Sequence, residues 1–403
     1  MGAQPDGLPW PADNRLGAEP SDAASFHAYL HIPFCVTRCG YCDFNTYTAS
    51  ELPGVDRNSF HTTLAAEIAW SEEVLSLNNL PKRKVATVFF GGGTPSLLQP
   101  AQIECLLNEL ASRFGLEPNA EITMEANPDD MNYERLAAFS GVGVNRISFG
   151  VQSFDQAVLA TLERSHDANA VPQVISDAAR LGIRASVDLI FGAPGESLSS
   201  WRRTVRTAAT LPIEHISAYA LIVEPGTRLH RQIRSGELVP QEDDFLAEKY
   251  WLADELLGQA GYSWYEVSNF TRGKPSLHNL AYWNSQDWWG YGPGAHSHIS
   301  GNRWWNTKHP SRYAEQLRQG SPAAGYEQLS GEQRDSERVL LGLRLRSGML
   351  AAELIELGVA ERSIGAEIAA GNLQQSGDRV SLASRSRFLA DGIILRLLEG
   401  ATA

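Results

Sequence analysis

Three cysteines fall within eight residues of this chain: Cys35, Cys39 and Cys42, in His31-Ile-Pro-Phe-Cys-Val-Thr-Arg-Cys-Gly-Tyr-Cys-Asp-Phe44. The 403-residue sequence holds only four cysteines, so this grouping is not background. Three thiolates can hold a cubane iron–sulfur cluster and leave one iron without a protein ligand, open to a small molecule. Structural zinc is a second reading. It takes four ligands, usually as two close pairs, and the C-x3-C-x2-C spacing matches neither pairing. A loop that merely contains cysteines is the third reading. Cys105 is different. It lies among Ile103, Leu106, Leu107, Leu110 and Phe114 at helical spacing, where a lone cysteine is usually a small core residue.

Other residues could complete a polar site. Gly91-Gly-Gly-Thr-Pro95 follows a β-rich run. Without a Cβ, such a turn lets backbone N–H groups approach a ligand carboxylate; it reads equally as a tight strand-to-helix turn. Glu125 and Asp188 can accept from hydroxyls or an amine, or serve as structural caps. Gln152 and Arg164 can close a pocket, Arg164 through its planar fork, although a single arginine is by default a surface residue. His278-Asn-Leu-Ala-Tyr-Trp283 opens an aromatic stretch that carries half of the ten tryptophans. A neutral imidazole is a standard axial ligand of heme iron. Tyr282 and Trp283 are suited to pack on a flat macrocycle. A histidine among aromatics is more often structural.

These residues need a frame. Residues 1–24, rich in Pro, Ala, Gly and Asp, read as a mobile tail. β-rich runs then begin near residues 28, 85, 121, 145, 184 and 214, with helical patterns over 57–78, 100–114, 168–181 and 198–209. Six strands alternating with helices predict a parallel α/β sheet, either a partial barrel or an open doubly wound sheet. The strands read as apolar runs buried on both faces. Chemistry in such folds sits at the C-terminal strand ends, and the cysteine loop, the glycine turn, Glu125, Gln152 and Asp188 all fall there or close by. The predicted divisions are the tail, a barrel over 25–235, an aromatic-rich extension over 236–327, and a small winged-helix-like domain over 328–403. The net charge of -13 argues against general nucleic-acid binding. No apolar run approaches the roughly 18 residues of a membrane span, and no secretory pattern opens the chain. Few cysteines fit a reducing cytoplasm.

Taken together, Tyr29-Leu-His-Ile-Pro-Phe-Cys35, the three-cysteine loop and Gly91-Gly-Gly-Thr-Pro95 resemble the radical S-adenosylmethionine (SAM) superfamily. The resemblance spans roughly residues 26–400. It implies a partial (β/α)6 barrel, a [4Fe–4S] cluster on Cys35, Cys39 and Cys42, and SAM chelating the fourth iron. By motif, SAM would contact Tyr29, Tyr41, Gly92, Gly93, Thr94, Glu125, Gln152, Arg164 and Asp188. More narrowly, the chain looks like the group that contains oxygen-independent coproporphyrinogen III dehydrogenases and heme chaperones. The dehydrogenase pattern has a further cysteine where this chain has Phe44. The chaperone pattern carries His-Asn-x-x-Tyr-Trp, matched at 278–283, and Gly292-Pro-Gly-Ala-His-Ser297 is also chaperone-like. The resemblance thus implies heme bound through His278 and Tyr282, with His296 as the next candidate. It also implies transfer of heme to apo-proteins, some of them membrane-bound, and a homodimer. Radical decarboxylation of coproporphyrinogen III is the alternative, opposed by Phe44 and the His278 motif. A cluster-bearing docking protein is the third.

Overall fold

The computed structural model describes residues 6–17, 25–52 and 54–399. Six strands pair in chain order and in parallel: β1 (Phe26–Ile32), β2 (Val85–Gly92), β3 (Leu116–Ala126), β4 (Arg146–Gln152), β5 (Arg184–Phe191) and β6 (His215–Ala220). Helices Phe60–Leu77, Pro100–Arg113, Val171–Arg180 and Leu198–Thr210 occupy the four segments whose periodicity predicted them.

The segment after β6 does not stand apart from this sheet. β7 (Ser263–Glu266) and β8 (Asn269–Thr271) extend its β6 edge antiparallel. At the other edge β9 (Asp287–Tyr291) pairs with β1 in parallel, followed by antiparallel β10 (His296–Ile299), β11 (Asn302–Asn306) and β12 (Ala323–Gln328). The result is one 12-stranded sheet. A buried carboxyl fastens this addition to the barrel. Glu67 accepts from Gly292 N at 2.6 Å, Asn306 Nδ2 at 2.6 Å and Tyr313 Oη at 2.5 Å. Burial pushes its pKa up to about 7 against the pull of those bonds.

The strands alternate. In β3 to β6 the sequences run Glu121-Ile-Thr-Met-Glu125, Arg146-Ile-Ser-Phe149, Arg184-Ala-Ser-Val-Asp188 and His215-Ile-Ser-Ala-Tyr219. Ile122, Met124, Ile147, Phe149, Val187 and Ile216 join the main apolar core. The other face carries polar side chains that bond one another across the strands. Ser148 Oγ meets Ser186 Oγ at 2.9 Å and donates to Asp188 Oδ2 at 2.9 Å, and Arg146 Nη2 donates to Ser186 Oγ at 3.0 Å. The expectation of strands apolar on both faces is therefore corrected. The inward face is buried but polar, because it lines a lumen.

The lumen is plugged near the N-terminal strand ends by the helix Leu277–Trp283. Glu121 on β3 anchors that helix by accepting from Leu277 N at 2.9 Å and His278 N at 3.1 Å. A carboxylate at a helix N-terminus satisfies orphan donors and complements the dipole.

Residues 6–17 depart from the reading of 1–24 as a mobile tail. Leu8 bridges to Tyr326, Leu16 is buried, and the Trp10 ring packs on Trp70 and Trp304. These apolar residues anchor a segment that its composition marks as loose. The rest of the tail lies outside the described residues. The C-terminal segment has the expected order: helices Gly331–Gly342, Ala351–Glu356 and Glu361–Ala369, a hairpin Leu373–Ser376 with Arg379–Leu382, and helix Ala390–Glu399. It has its own core around Leu343, Leu354, Leu382 and Ile394. Arg387, 1 % exposed, joins it to the barrel. The guanidinium lies over the rings of Tyr250, Trp251 and Trp264 and pairs with Asp254 at 2.7 Å.

Candidate functional site

The cysteine loop leaves β1 at Ile32 and is tied down on both sides. Cys35 N donates to Tyr47 O at 2.9 Å, and Tyr47 N to Pro33 O at 2.7 Å. His31 Nε2 bonds Asn45 O at 2.8 Å, while Asn45 Nδ2 donates to Pro293 O and Lys308 O, each at 2.9 Å. The neighbouring glycine turn is stitched to the same loop, through Gly93 N to Ile32 O and Thr94 N to Phe34 O, both 2.8 Å. All three cysteines are free and half-buried. Burial raises the Cys35 thiol and pushes Cys42 up to about 11, and the neighbouring cysteines add to both shifts. Among the described residues no three His, Cys, Asp or Glu side chains are gathered tightly enough to grip a single metal ion. The thiols are neighbours on one short loop, close enough for their charges to bear on one another.

The residues around them match a cluster site. Thr94 Oγ1 lies 3.8 Å from Cys35 Sγ, and Arg164 Nη1 lies 3.5 Å from Cys39 Sγ. Arg164 is fixed by donating through Nη2 to Asn127 Oδ1 and Gly150 O, both at 2.7 Å. A Cβ on Gly93 would lie 2.5 Å from Phe34 O and 3.0 Å from Cys35 Sγ, so only glycine lets the turn pass this close. Val36 and Phe44, in the same loop, are exposed.

Deeper in the lumen stand two carboxyls. Glu125 Oε2 accepts from Gly92 N at 3.0 Å. Burial, and then the charge of Asp188, pushes Glu125 up to about 8. Asp188 is also raised, by burial, against hydrogen bonds from Ser217 and Ser148 and the pull of Arg146. Two neighbouring, half-buried carboxyls cannot both ionise cheaply. With its pKa pushed up to about 8, Glu125 favours the protonated form near neutral pH, and a bound cation or amine would favour its ionisation. Tyr29 stacks on Phe89 and bonds His31 Nδ1 at 3.0 Å. Tyr41 packs on a separate apolar cluster of Val158, Leu162 and Ala193. Gln152 sits at a break in the β4–β5 register with φ +63, a left-handed conformation uncommon outside glycine. The fold therefore brings Tyr29, Gly92, Gly93, Thr94, Glu125, Gln152, Arg164 and Asp188 to one end of one lumen, with the cysteines above.

Gly92 carries the sharpest constraint. Its φ is +116, and a Cβ would meet the His31 ring at 2.6 Å. Gly92→Val is expected to shift His31 and the cysteine loop it supports. SAM affinity should weaken on the order of 1–3 kcal/mol, the usual cost of an overpacked site. Equal affinity by titration calorimetry in a folded, cluster-loaded variant would refute this.

His278 and Tyr282 share one helical face, as their spacing predicts, but that face looks into the barrel. His278 is 2 % exposed and stacks on Phe89. Its Nδ1 bonds Thr87 Oγ1 at 2.6 Å and its Nε2 bonds Tyr282 Oη at 2.9 Å. Burial drives its pKa well down, so the ring is neutral. Neither nitrogen is open to iron in this arrangement. His296 is exposed on β10. Sequence reasoning passed over Arg146, Ser148, Asn127 and Thr87, which organise the lumen. For Arg146 and Ser148 the signal was the polar–apolar alternation of β4; Asn127 lies just past β3, and Thr87 sits in the apolar run of β2.

The radical SAM superfamily profile matches residues 29–208. The heme chaperone HemW of Mycobacterium tuberculosis is 45% identical over 386 residues, covering 95% of this chain and 97% of that protein. The heme chaperone HemW of Bacillus subtilis is 36% identical over 330 residues, covering 80% and 84%. The fold of the coproporphyrinogen III oxidase HemN of Escherichia coli superposes with a TM-score of 0.78 at 21% identity, over 93% of this chain and 90% of that one. On this near full-length identity, together with the superfamily match over the barrel strands, the chain belongs to the HemW family of the radical SAM superfamily.

Proposed function

We propose that this protein is a heme chaperone that binds heme and delivers it to apo-proteins, with a [4Fe–4S] cluster held by Cys35, Cys39 and Cys42. SAM would occupy the lumen against the glycine turn, Glu125 and Asp188. The observation that carries this reading is the 45% identity over nearly the whole of a protein named as a heme chaperone. The lumen geometry supports the cluster and SAM. Thr94 lies against Cys35 and Arg164 against Cys39, and the Gly93 turn passes close to Cys35. When bound, cluster and SAM would supply one-electron chemistry; the protein's share is to position them and exclude water. Among the described residues no helix is long and apolar enough to cross a membrane, so contact with membrane-bound recipients would run through partners.

Anaerobic reconstitution followed by parallel assays tests the reading. Heme titration should show binding, and coproporphyrinogen III with SAM and reductant should not be decarboxylated. Turnover to protoporphyrinogen would favour the oxidase activity instead. Heme ligation through His278 requires the Tyr282 bond to open. If His278 is the ligand, His278→Ala shifts the heme absorption spectrum and weakens binding at least tenfold while the cluster persists. An unchanged spectrum would remove His278 from the iron.

A further inference from the structure

Between the plugging helix and the C-terminal segment lies a cleft of about 530 Å³. Ser25, His27, Thr87, Ala281 and Gln286 line part of it. From there a single hydrogen-bonded file runs along the inner face of β1 and β2. Ser25 Oγ bonds His27 Nε2 at 2.7 Å, His27 Nδ1 bonds Thr87 Oγ1 at 2.8 Å, Thr87 Oγ1 bonds His278 Nδ1 at 2.6 Å, and His278 Nε2 bonds Tyr282 Oη at 2.9 Å. Each member both donates and accepts. The outer end sets the direction: Ser25 Oγ also bonds Gln286 Oε1 at 3.1 Å, and that oxygen can only accept. With the Ser25 proton on Gln286, His27 donates to Ser25, Thr87 to His27, His278 to Thr87 and Tyr282 to His278. No bond in the file is left with two donors or two acceptors.

We propose that this file is a proton relay from the barrel lumen to the cleft, the exit for protons displaced when a ligand fills the lumen. The proposal rests on the reading that SAM binds against Glu125 and Asp188. A ligand there would close the open end of the lumen, and the helix Leu277–Trp283 already plugs the other. In one passage Tyr282 takes a proton from the lumen at Oη and gives its own to His278 Nε2. His278 passes its Nδ1 proton to Thr87, Thr87 passes its own to His27 Nδ1, and His27 passes its Nε2 proton to Ser25. The Ser25 proton leaves into the cleft. One proton enters, one leaves and no charge remains. Hydroxyl rotation and tautomer exchange then reset the file.

The surroundings suit this role. Burial, and then Arg83, lowers His27 to about 4, with Asp287 opposing. Burial, then His27 and Arg146, lowers His278. Both rings are thus neutral, each with one donor and one acceptor nitrogen. His27 is 4 %, Thr87 1 % and His278 2 % exposed, so the side-chain partners in the file are the ones these buried groups use. At the inner end the charge of Glu125 bears on Tyr282.

Thr87 is the test, because its hydroxyl alone joins the two imidazoles and valine has nearly its shape. Cluster-loaded full-length protein is mixed with SAM in weak buffer, with a pH indicator for proton release and calorimetry for affinity. Release in the wild type should keep pace with binding. In Thr87→Val it should lag at least tenfold at unchanged SAM affinity, and Thr87→Ser should restore it. His27→Phe cuts the file one link further out and should lag likewise, which covers a misfolded valine variant. Release that keeps pace in both variants, a lag that serine does not repair, or a wild type that binds SAM without releasing protons would overturn the relay. A wild type that does not bind SAM overturns the SAM reading and, with it, the relay's stated purpose.

Discussion

Cys35→Ala, Cys39→Ala and Cys42→Ala are each expected to yield no stable [4Fe–4S] absorption or paramagnetic signal after anaerobic reconstitution, whereas Cys105→Ala should load like the wild type. The reason is the ligand count. A cubane held by three thiolates already has one iron without a protein ligand, and losing another thiolate leaves half the irons unheld. The thiols are also poor ligands until a metal takes their protons. Burial raises Cys35 and pushes Cys42 up to about 11, so cluster assembly must offset deprotonation at these two sites. That makes assembly cooperative and pH-dependent, faster toward alkaline pH. Cys105 is half-buried on the helix Pro100–Arg113, flanked by buried Ile103, Leu106 and Leu107. Its loss removes a small packing group. A cluster that survives in Cys42→Ala but not in Cys105→Ala would reverse the assignment.

The site's frame was legible from the sequence because glycine and cysteine constraints are local. Gly91-Gly-Gly-Thr-Pro95 announced a close backbone approach, and Gly93 confirms it beside Cys35 Sγ. Strand order was also legible, since helical and apolar periods alternate cleanly between residues 26 and 220. The polar lumen was harder. Arg146, Ser148, Ser186 and Asp188 alternate with apolar residues, a pattern ordinarily read as a strand with one face in water. Here the second face is enclosed by the curvature of the sheet, and curvature is not a local property of any strand. The long-range pairings were equally hidden. Nothing near Asp287–Tyr291 announces that it pairs with β1, some 260 residues earlier in the chain. The two faces of the His278 helix could be separated by spacing, but only tertiary packing decided which face turns inward. Glu121, distant in sequence, fixes that choice by capping the helix.

The proton held on Glu125 should be visible as a pH-dependent stability. Glu125 ionises at about 8 in the folded chain, against an ordinary 4.5. Below pH 4.5 folded and unfolded chains both hold its proton, and the group contributes no pH dependence. Between 4.5 and 8 the unfolded chain has released the proton while the folded chain keeps it, so stability falls by up to about 1.4 kcal/mol per pH unit. Above 8 both forms are ionised and the loss stops. Glu67, pushed up to about 7, and Asp188, also raised, add losses of the same sign, so the contribution of Glu125 is read as a difference. Glu125→Gln keeps an acceptor for Gly92 N and removes the titration. Urea unfolding of the two proteins from pH 5 to pH 9 should show the variant gaining on the wild type as pH rises. The gap should reach several kcal/mol near pH 8 and then level. Parallel curves across that range would mean that the Glu125 carboxyl is not desolvated and that the lumen holds no proton for a ligand to displace. A gap that opens instead as pH falls would mean that Glu125 is held as an anion in the fold, with Arg146 rather than a bound ligand as its counter-charge.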